Sequence, residues 1–232
     1  MRELSSRLLA VQARIASAAA SADRPAAAVR LLAVSKTRPA EDVRALYAAG
    51  QRAFGENYVQ EAEAKMAELG DLAIEWHHIG RIQNNKTRVI AERFQWAHGV
   101  TDEHQARRLS QQRPPGLPPL DVCIQVNVSN EATKAGVAVA TLEPLAQAVA
   151  ALPNLRLRGL MAIPEPAADV AAQRRPFRAL RELSDRLRAG GLELDTLSMG
   201  MSDDLEAAIL EGATIVRVGT ALFGPRPAKR PG

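Results

Sequence analysis

Short apolar runs alternate along this chain with longer segments in which apolar residues recur every three to four positions. The short runs predict β-strands and the longer segments predict amphipathic helices. Strands are expected at 29–36, 53–56, 74–79, 94–98, 120–128, 157–162, 194–199 and 214–219. Helices are expected at 39–49, 57–69, 83–93, 102–112, 140–151, 170–189 and 203–212.

A strand followed by a helix, repeated about eight times, indicates a single α/β domain of the (β/α)8 TIM-barrel type. A doubly wound sheet stays open as the alternative, since alternation along the chain does not say whether the sheet closes. Residues 1–224 are assigned to the barrel, with an extra N-terminal helix that carries Leu4, Leu8 and Val11 on one face. The proline-rich, basic tail at 225–232 is predicted to be disordered.

The fifth predicted strand has one polar and one aliphatic face. Asp121, Cys123, Gln125 and Asn127 alternate there with valine and isoleucine. In a barrel, the aliphatic face packs beneath the helices and the other face lines the lumen. The polar positions therefore predict either a ligand pocket or a buried, hydrogen-bonded polar pair.

Composition narrows the class of protein. The chain has 232 residues, of which 47% are hydrophobic, so it can bury a large core, and the aromatic content of 3% makes that core aliphatic. The single cysteine, Cys123, excludes an intramolecular disulfide or a CxxC metal cluster and fits a reducing compartment. No apolar run approaches the roughly 20 residues of a bilayer span. We expect a cytoplasmic protein with no membrane partner.

The formal net charge of +4 would allow nucleic-acid binding. The densest group of arginines lies in the helix predicted at 170–189, where Glu182 and Asp185 interrupt it and no aromatic stacking platform accompanies it. This pattern is typical of a solvated helix face, so no nucleic-acid partner is expected.

Lys36 is the first candidate for chemistry. It ends the first predicted strand in a chain that otherwise prefers arginine, since only five of its 30 basic residues are lysines. Arginine supplies charge as well as lysine does, but only a primary amine condenses with a carbonyl to form a Schiff base. The alternative is an ordinary strand-end lysine with its ammonium group in water.

Two glycine-containing strand ends are the second candidate. Gly200, Met201 and Ser202 join a predicted strand to a helix, and Gly219 and Thr220 end the last strand. Free backbone N–H groups, hydroxyls and close backbone approach at such ends suit a phosphate, and barrels commonly bind phosphate after strands seven and eight. Two ordinary turns would show the same pattern.

A phosphate site and a Schiff-base lysine in one pocket are the features that hold pyridoxal 5′-phosphate (PLP). Arg217 would then reach the pyridine nitrogen. Because an arginine only donates, it would leave that nitrogen unprotonated and make the ring a weak electron sink.

The chain resembles, over nearly its whole length, the pyridoxal phosphate homeostasis protein family, which is similar to the N-terminal barrel of alanine racemase without its second domain. The matching segments are Ala33–Thr37, Phe54–Glu61, Trp76–His77 with Ile79–Gly80, Gln83 with Asn85–Lys86, Arg158–Ile163, Leu197–Asp203, Val216–Thr220 and Phe223–Gly224. His78 stands where the family usually has phenylalanine, and Asn84 where a serine is common.

The resemblance implies that Lys36 forms the internal aldimine with PLP and that Arg217 faces the pyridine nitrogen. It implies that Ser202, Gly219 and Thr220 hold the phosphate and that Asn57 lines the pocket. Gly200, Met201 and His77 are further candidate contacts. No metal ligands and no dedicated catalytic residues are expected.

The function expected from these residues is binding of PLP, intracellular PLP homeostasis and supply of PLP to apo-enzymes as transient partners, by a monomer. A PLP-dependent racemase is the alternative; it needs a proton donor across the ring from Lys36, for which only His77 or Tyr58 is placeable. A Schiff-base aldolase acting on a phosphorylated sugar is a third possibility, against which Arg217 argues. Lys134 is the candidate for passing PLP onward, and Lys86 is expected on a helix surface.

Overall fold

Eight parallel strands form a closed barrel in the computed structural model, which describes residues 2–129 and 135–225. Each strand pairs with the next in the chain, and β8 closes the sheet on β1 from Arg30↔Ile215 to Ala33↔Val218. The strands are β1 (Arg30–Val34), β2 (Ala53–Glu56), β3 (Glu75–His78), β4 (Trp96–Val100), β5 (Leu120–Gln125), β6 (Leu155–Met161), β7 (Thr196–Ser198) and β8 (Ile215–Val218). The predicted (β/α)8 barrel is confirmed, and the open doubly wound sheet is excluded.

Helices connect successive strands and cover the outside of the barrel. They are α1 (Arg2–Ala20), α2 (Ala40–Ala48), α3 (Val59–Glu68), α4 (Thr87–Arg93), α5 (Glu103–Gln112), α6 (Val139–Ala150), α7 (Val170–Ala189), α8 (Leu205–Leu210) and α9 (Thr220–Phe223). Within the described ranges, no helix combines the length and the apolar character that a bilayer span requires. Lys134 and the predicted tail beyond Pro225 lie outside the described residues.

Two predicted strands are too long at their carboxyl ends by two or more residues. The first was expected to reach Lys36, but β1 ends at Val34, because the chain turns away where Thr37 adopts a left-handed backbone (φ 62°). The fifth was expected to reach Val128, but β5 ends at Gln125, and Val126 instead forms an isolated bridge with Val137. Lys36 therefore lies in a bend just after its strand.

Strand alternation separates two apolar regions. Outward residues such as Phe54, Val122 and Ile124 pack against the helices, while Cys123 belongs to a separate cluster inside the barrel. The inner cluster consists of Leu32, Val34, Ala53, Ile79, Trp96, Cys123, Met161 and Ile215. This confirms the two faces predicted for the fifth strand. Each fully buried large aliphatic or aromatic side chain stabilises the fold by about 1.5–3 kcal/mol.

The amino-terminal mouth of the barrel is closed by ion pairs. Arg30 contacts Glu75 at 2.8 Å, and Arg158 contacts both Asp121 and Asp195. Charged side chains thus occupy this mouth, and barrels of this type bind their ligands at the opposite face, at the carboxyl ends of the strands.

Helix α1 packs against α8 and α9 and so supports the loop after β7. Arg14 donates to both carboxylate oxygens of Glu206 on α8, at 2.7 and 2.9 Å, and to the backbone oxygen of Ser202 at 2.9 Å. The extra N-terminal helix therefore holds one wall of the carboxyl face in place.

Candidate functional site

Lys36 is half-buried, and the backbone on both sides of it is tied to α3. The Ser35 carbonyl accepts a hydrogen bond from Lys65 Nζ at 2.6 Å, and the Thr37 N–H donates to Glu61 Oε1 at 2.5 Å. Because both neighbours are anchored, the bend presents the Lys36 side chain from a fixed position.

A buried ionic cluster lies behind this bend. Glu56 Oε1 accepts from Lys65 Nζ at 2.7 Å and from Ser35 Oγ at 2.6 Å, and Lys65 also donates to Glu61 at 2.6 Å. Burial raises the pKa of Glu56, although Lys65 and Ser35 act in the opposite direction. The sequence reasoning missed this cluster; its one signal was Lys65, another of the five lysines, close to the matched segment that contains Glu56 and Glu61.

Asn57 lies between β2 and α3 and is half-buried. Its Oδ1 atom is inaccessible to solvent and has no hydrogen-bond partner among the described residues. Gly80 allows the close approach of the next strand, since a Cβ there would lie 2.5 Å from the Asn57 carbonyl oxygen. An orphaned acceptor on a fixed backbone fits a contact to a bound ligand.

Arg217 is buried in the lumen near the carboxyl end. Its Nη1 donates to the backbone oxygen of Ser198 at 2.5 Å and to Ser198 Oγ at 2.8 Å, and its Nη2 donates to the Ala162 carbonyl at 2.8 Å. Burial lowers the pKa of Arg217 to about 10, so the guanidinium remains charged at neutral pH.

The loops after β7 and β8 meet as the sequence predicts. The Ala221 N–H donates to Ser202 Oγ at 3.2 Å, which joins the loop that contains Gly200 to the Gly219–Thr220 turn. The Met201 N–H already donates to Asp204 Oδ1 at 2.5 Å, so this amide is bonded within its own loop. A Cβ on Gly219 would lie 3.3 Å from the Val34 carbonyl oxygen, so glycine lets the turn approach β1 closely.

A cavity of about 40 Å³ brings the first and last strands together; it is lined by Val34, Lys36, Arg38, Gly219 and Thr220. Its volume is about that of one water molecule in the liquid. The cavity therefore encloses only the junction between Lys36 and the turn, and a larger ligand would extend from it over the open carboxyl face. The much larger groove of about 800 Å³ lies near the amino ends of β6 and β7 and contains none of the predicted site residues.

His77 and Lys86 lie away from this cavity. His77 faces the lumen but is fully buried beneath the site, stacked on Trp96 with ring centroids 5.3 Å apart, while His78 points outward onto Phe94. Lys86 ends a short 3₁₀ turn before α4. Of the predicted contacts, the structure thus places Lys36, Gly219 and Thr220 on one cavity and joins Ser202 to the same turn through Ala221, while Arg217 in the lumen and Asn57 after β2 lie outside the lining of this cavity.

A closed parallel barrel with a lysine just past β1 and an arginine on β8 belongs to the class of the alanine racemase N-terminal domain, whose family model matches residues 7–227. The fold is also that of alanine racemase from Corynebacterium glutamicum (TM-score 0.73, 18% identity, covering 100% of this chain and 63% of that one).

Within this class, the chain belongs to the pyridoxal phosphate homeostasis protein family. It is 63% identical over 226 residues to the family member from Pseudomonas aeruginosa, with 97% of each chain covered. It is 48% identical to the member from Escherichia coli, covering 97% of this chain and 98% of that one. PipY of Synechococcus elongatus, solved with PLP bound, has a TM-score of 0.84 and 38% identity and covers 95% of this chain and 100% of its own.

Proposed function

We propose that this protein binds PLP, holds it as an aldimine on Lys36 and takes part in intracellular PLP homeostasis. The observation that carries the proposal is the shared cavity of Lys36 with Gly219 and Thr220, which joins an amine to a phosphate-type turn. The PLP-bound structure of PipY, a relative that covers 95% of this chain, supports the same ligand.

The residues present suit PLP group by group. The Lys36 amine would condense with the aldehyde and release water. Ser202, Gly219 and Thr220 would hold the phosphate through hydroxyl and backbone donors, and Asn57, with its orphaned oxygen, would contact the cofactor from β2. Arg217 would donate a hydrogen bond to the pyridine nitrogen.

Arg217 favours storage of PLP over catalysis. A guanidinium that stays charged at neutral pH cannot accept a proton, so the ring nitrogen that it contacts stays unprotonated and the ring is a weak electron sink. Of the two candidate proton donors of the alternative racemase, His77 is fully buried and bonded within the lumen, and Tyr58 is 58% exposed. We therefore propose that the protein supplies PLP to apo-enzymes and has no dedicated turnover.

We further propose that it does so as a cytoplasmic monomer. The exposed large apolar side chains of the described residues lie singly on different elements and form no stripe; they are Leu9, Tyr58, Leu117, Val139, Ile163 and Val170. Light scattering should then give a mass near the 25.0 kDa of one chain.

Borohydride trapping tests the covalent link. The purified protein loaded with PLP should absorb visible light, and reduction followed by peptide mapping should place the label on Lys36. Lys36→Ala should lose the label, whereas Lys86→Ala, the matched control on another lysine, should keep it. A colourless protein that takes up no PLP would overturn the proposal and favour a Schiff-base aldolase.

Two further measurements distinguish transfer of PLP to apo-enzymes from catalytic turnover of amino acids. PLP-loaded protein should reconstitute an apo PLP-dependent enzyme when a scavenger removes free PLP from solution. The α-proton of an added amino acid should exchange with D₂O no faster than with free PLP. Exchange at enzymatic rates would instead establish the racemase alternative.

A further inference from the structure

A continuous line of hydrogen bonds crosses the barrel lumen from its amino-terminal mouth to Arg217. Glu75 Oε1 lies 2.5 Å from His77 Nε2, and His77 Nδ1 lies 2.9 Å from His98 Nε2. His98 Nδ1 lies 2.8 Å from Ser198 Oγ, which accepts from Arg217 Nη1 at 2.8 Å. We call Glu75, His77, His98 and Ser198 the lumen chain.

The two histidines of the lumen chain, His77 and His98, are neutral at pH 7. Burial lowers the pKa of His77 in spite of the neighbouring Glu75, and burial together with His77 and Arg217 lowers the pKa of His98 well below its usual value. Glu75 is ionised, because its hydrogen bonds with His77 and Arg30 outweigh burial and lower its pKa to about 2. The other charged or titratable groups that act electrostatically on this part of the lumen are Arg30 on β1, Asp121 and Cys123 on β5, Arg158 on β6 and Arg217 on β8, together with the outward-pointing His78 on β3.

The ionised Glu75 carboxylate at one end makes all hydrogen bonds of the lumen chain run in one donor-to-acceptor direction. A carboxylate only accepts, so His77 must donate from Nε2 and accept at Nδ1. His98 then donates from Nε2 to His77 and accepts at Nδ1 from the Ser198 hydroxyl. With its proton directed to His98, Ser198 Oγ turns its lone pairs toward Arg217.

We propose that Glu75, His77 and His98 are positioning residues for Arg217. By keeping Ser198 Oγ an acceptor, they hold the guanidinium in the orientation from which it contacts the PLP ring. The contact between Arg217 and the PLP ring rests on the proposed function. The direction of the hydrogen bonds in the lumen chain does not. In the reverse direction Ser198 would accept from both neighbours, and its own proton would have no partner on the chain.

The tautomers of the two histidines test the chain without any cofactor. Nitrogen-15 NMR of the PLP-free protein at pH 7 should show His77 and His98 as neutral Nε2–H tautomers. In Glu75→Gln, whose amide both donates and accepts, Nδ1–H tautomers should appear. Arg30→Gln is the matched control at the same mouth, since it removes the ion pair but keeps the carboxylate. Nδ1–H tautomers in the wild type would overturn the proposed direction, and unchanged tautomers in Glu75→Gln would show that the Glu75 carboxylate does not set it.

The absorption and the release rate of bound PLP report how changes in the lumen chain affect Arg217. Glu75→Gln should shift the visible absorption maximum or its pH dependence and release PLP about three- to tenfold faster, the effect of weakening one hydrogen bond to a charged group. Arg30→Gln should stay within about twofold of the wild type. Ser198→Ala keeps the backbone bond to Arg217, so it should fold and reproduce the faster release even if Glu75→Gln does not fold.

The outcomes separate the two proposals. A wild-type protein that takes up no PLP refutes the proposed function. The histidine tautomers still test the direction of the hydrogen bonds in the lumen chain, because they are measured without PLP. Altered tautomers in Glu75→Gln, with wild-type absorption and release of PLP in both Glu75→Gln and Ser198→Ala, would show that the chain does not position Arg217.

Discussion

At the residue scale, His78, one of the two positions where the sequence was expected to depart from the family pattern, carries an energetic cost. His78 is 1% exposed, its Nδ1 has no hydrogen-bond partner among the described residues, and it packs edge-on against Phe94. A hydrogen bond with the Asn57 backbone partly opposes the effect of burial, which lowers the pKa of His78 to about 4. His78 therefore stays neutral in the folded protein at pH values where it is charged in the unfolded chain.

His78→Phe should make stability less sensitive to acid. With a folded pKa near 4 and an ordinary value of 6.5, unfolding takes up a proton between these pH values, so the wild type loses about 1.4 kcal/mol per pH unit through His78 as pH falls from 6.5 to 4. The variant should lack this contribution when free energies of unfolding are measured by denaturant titration. His104→Gln, a change at an exposed histidine, is the control; equal slopes in His78→Phe and wild type would contradict the prediction.

Residue identity predicted the chemistry at single positions but not the groups that support them. Lys36, Gly219 and Thr220 could be selected from the sequence because only certain residue types can form an imine or admit close backbone approach. Glu56 and Lys65 could not, because nothing in the local pattern says that a charged pair will be buried.

At the element scale, α3 fixes the bend that contains Lys36 by hydrogen bonds to the residues on either side of it. The helix contributes Lys65 and Glu61, which bond to the residues on either side of Lys36, and Lys65 also neutralises Glu56. An element that was predicted simply as the second barrel helix therefore anchors the backbone on both sides of Lys36.

Lys65→Met should destabilise the protein by about 3–5 kcal/mol at pH 7, because it leaves Glu56 buried without its cation. The loss should shrink as pH falls, since burial already raises the pKa of Glu56 and protonation removes the unpaired charge. The double variant Glu56→Gln with Lys65→Met should recover part of the stability. Denaturant titration checks both; a loss below about 1 kcal/mol would show that the pair does not hold the bend.

At the scale of the whole molecule, closure of the sheet depends on a close contact between β6 and β7. Gly159 pairs with Thr196, and a Cβ on Gly159 would lie 1.8 Å from the Thr196 carbonyl oxygen. The register of β5 against β6 also shifts between Val122 and Cys123, opposite this position. The barrel can close here only because residue 159 has no side chain.

Gly159→Ala should lower the free energy of unfolding by about 3 kcal/mol or more, because the methyl group forces two backbones of a closed sheet apart. Gly70→Ala is the control, since its Cβ would meet its nearest neighbour at an ordinary 3.6 Å. Thermal and denaturant unfolding compare the two. A Gly159→Ala variant as stable as Gly70→Ala would refute this account of closure.

Hydrophobic period and residue type are local properties of the chain, so they were enough to predict the order of strands and helices and the candidates for amine and phosphate chemistry. Tertiary contacts alone close the sheet, leave Lys36 beyond its strand, and bring Lys65 to the Ser35 carbonyl and Arg217 to Ser198. Those contacts join residues of different strands and helices, as in His98 with Ser198, and a local pattern carries no information about which distant side chains will meet.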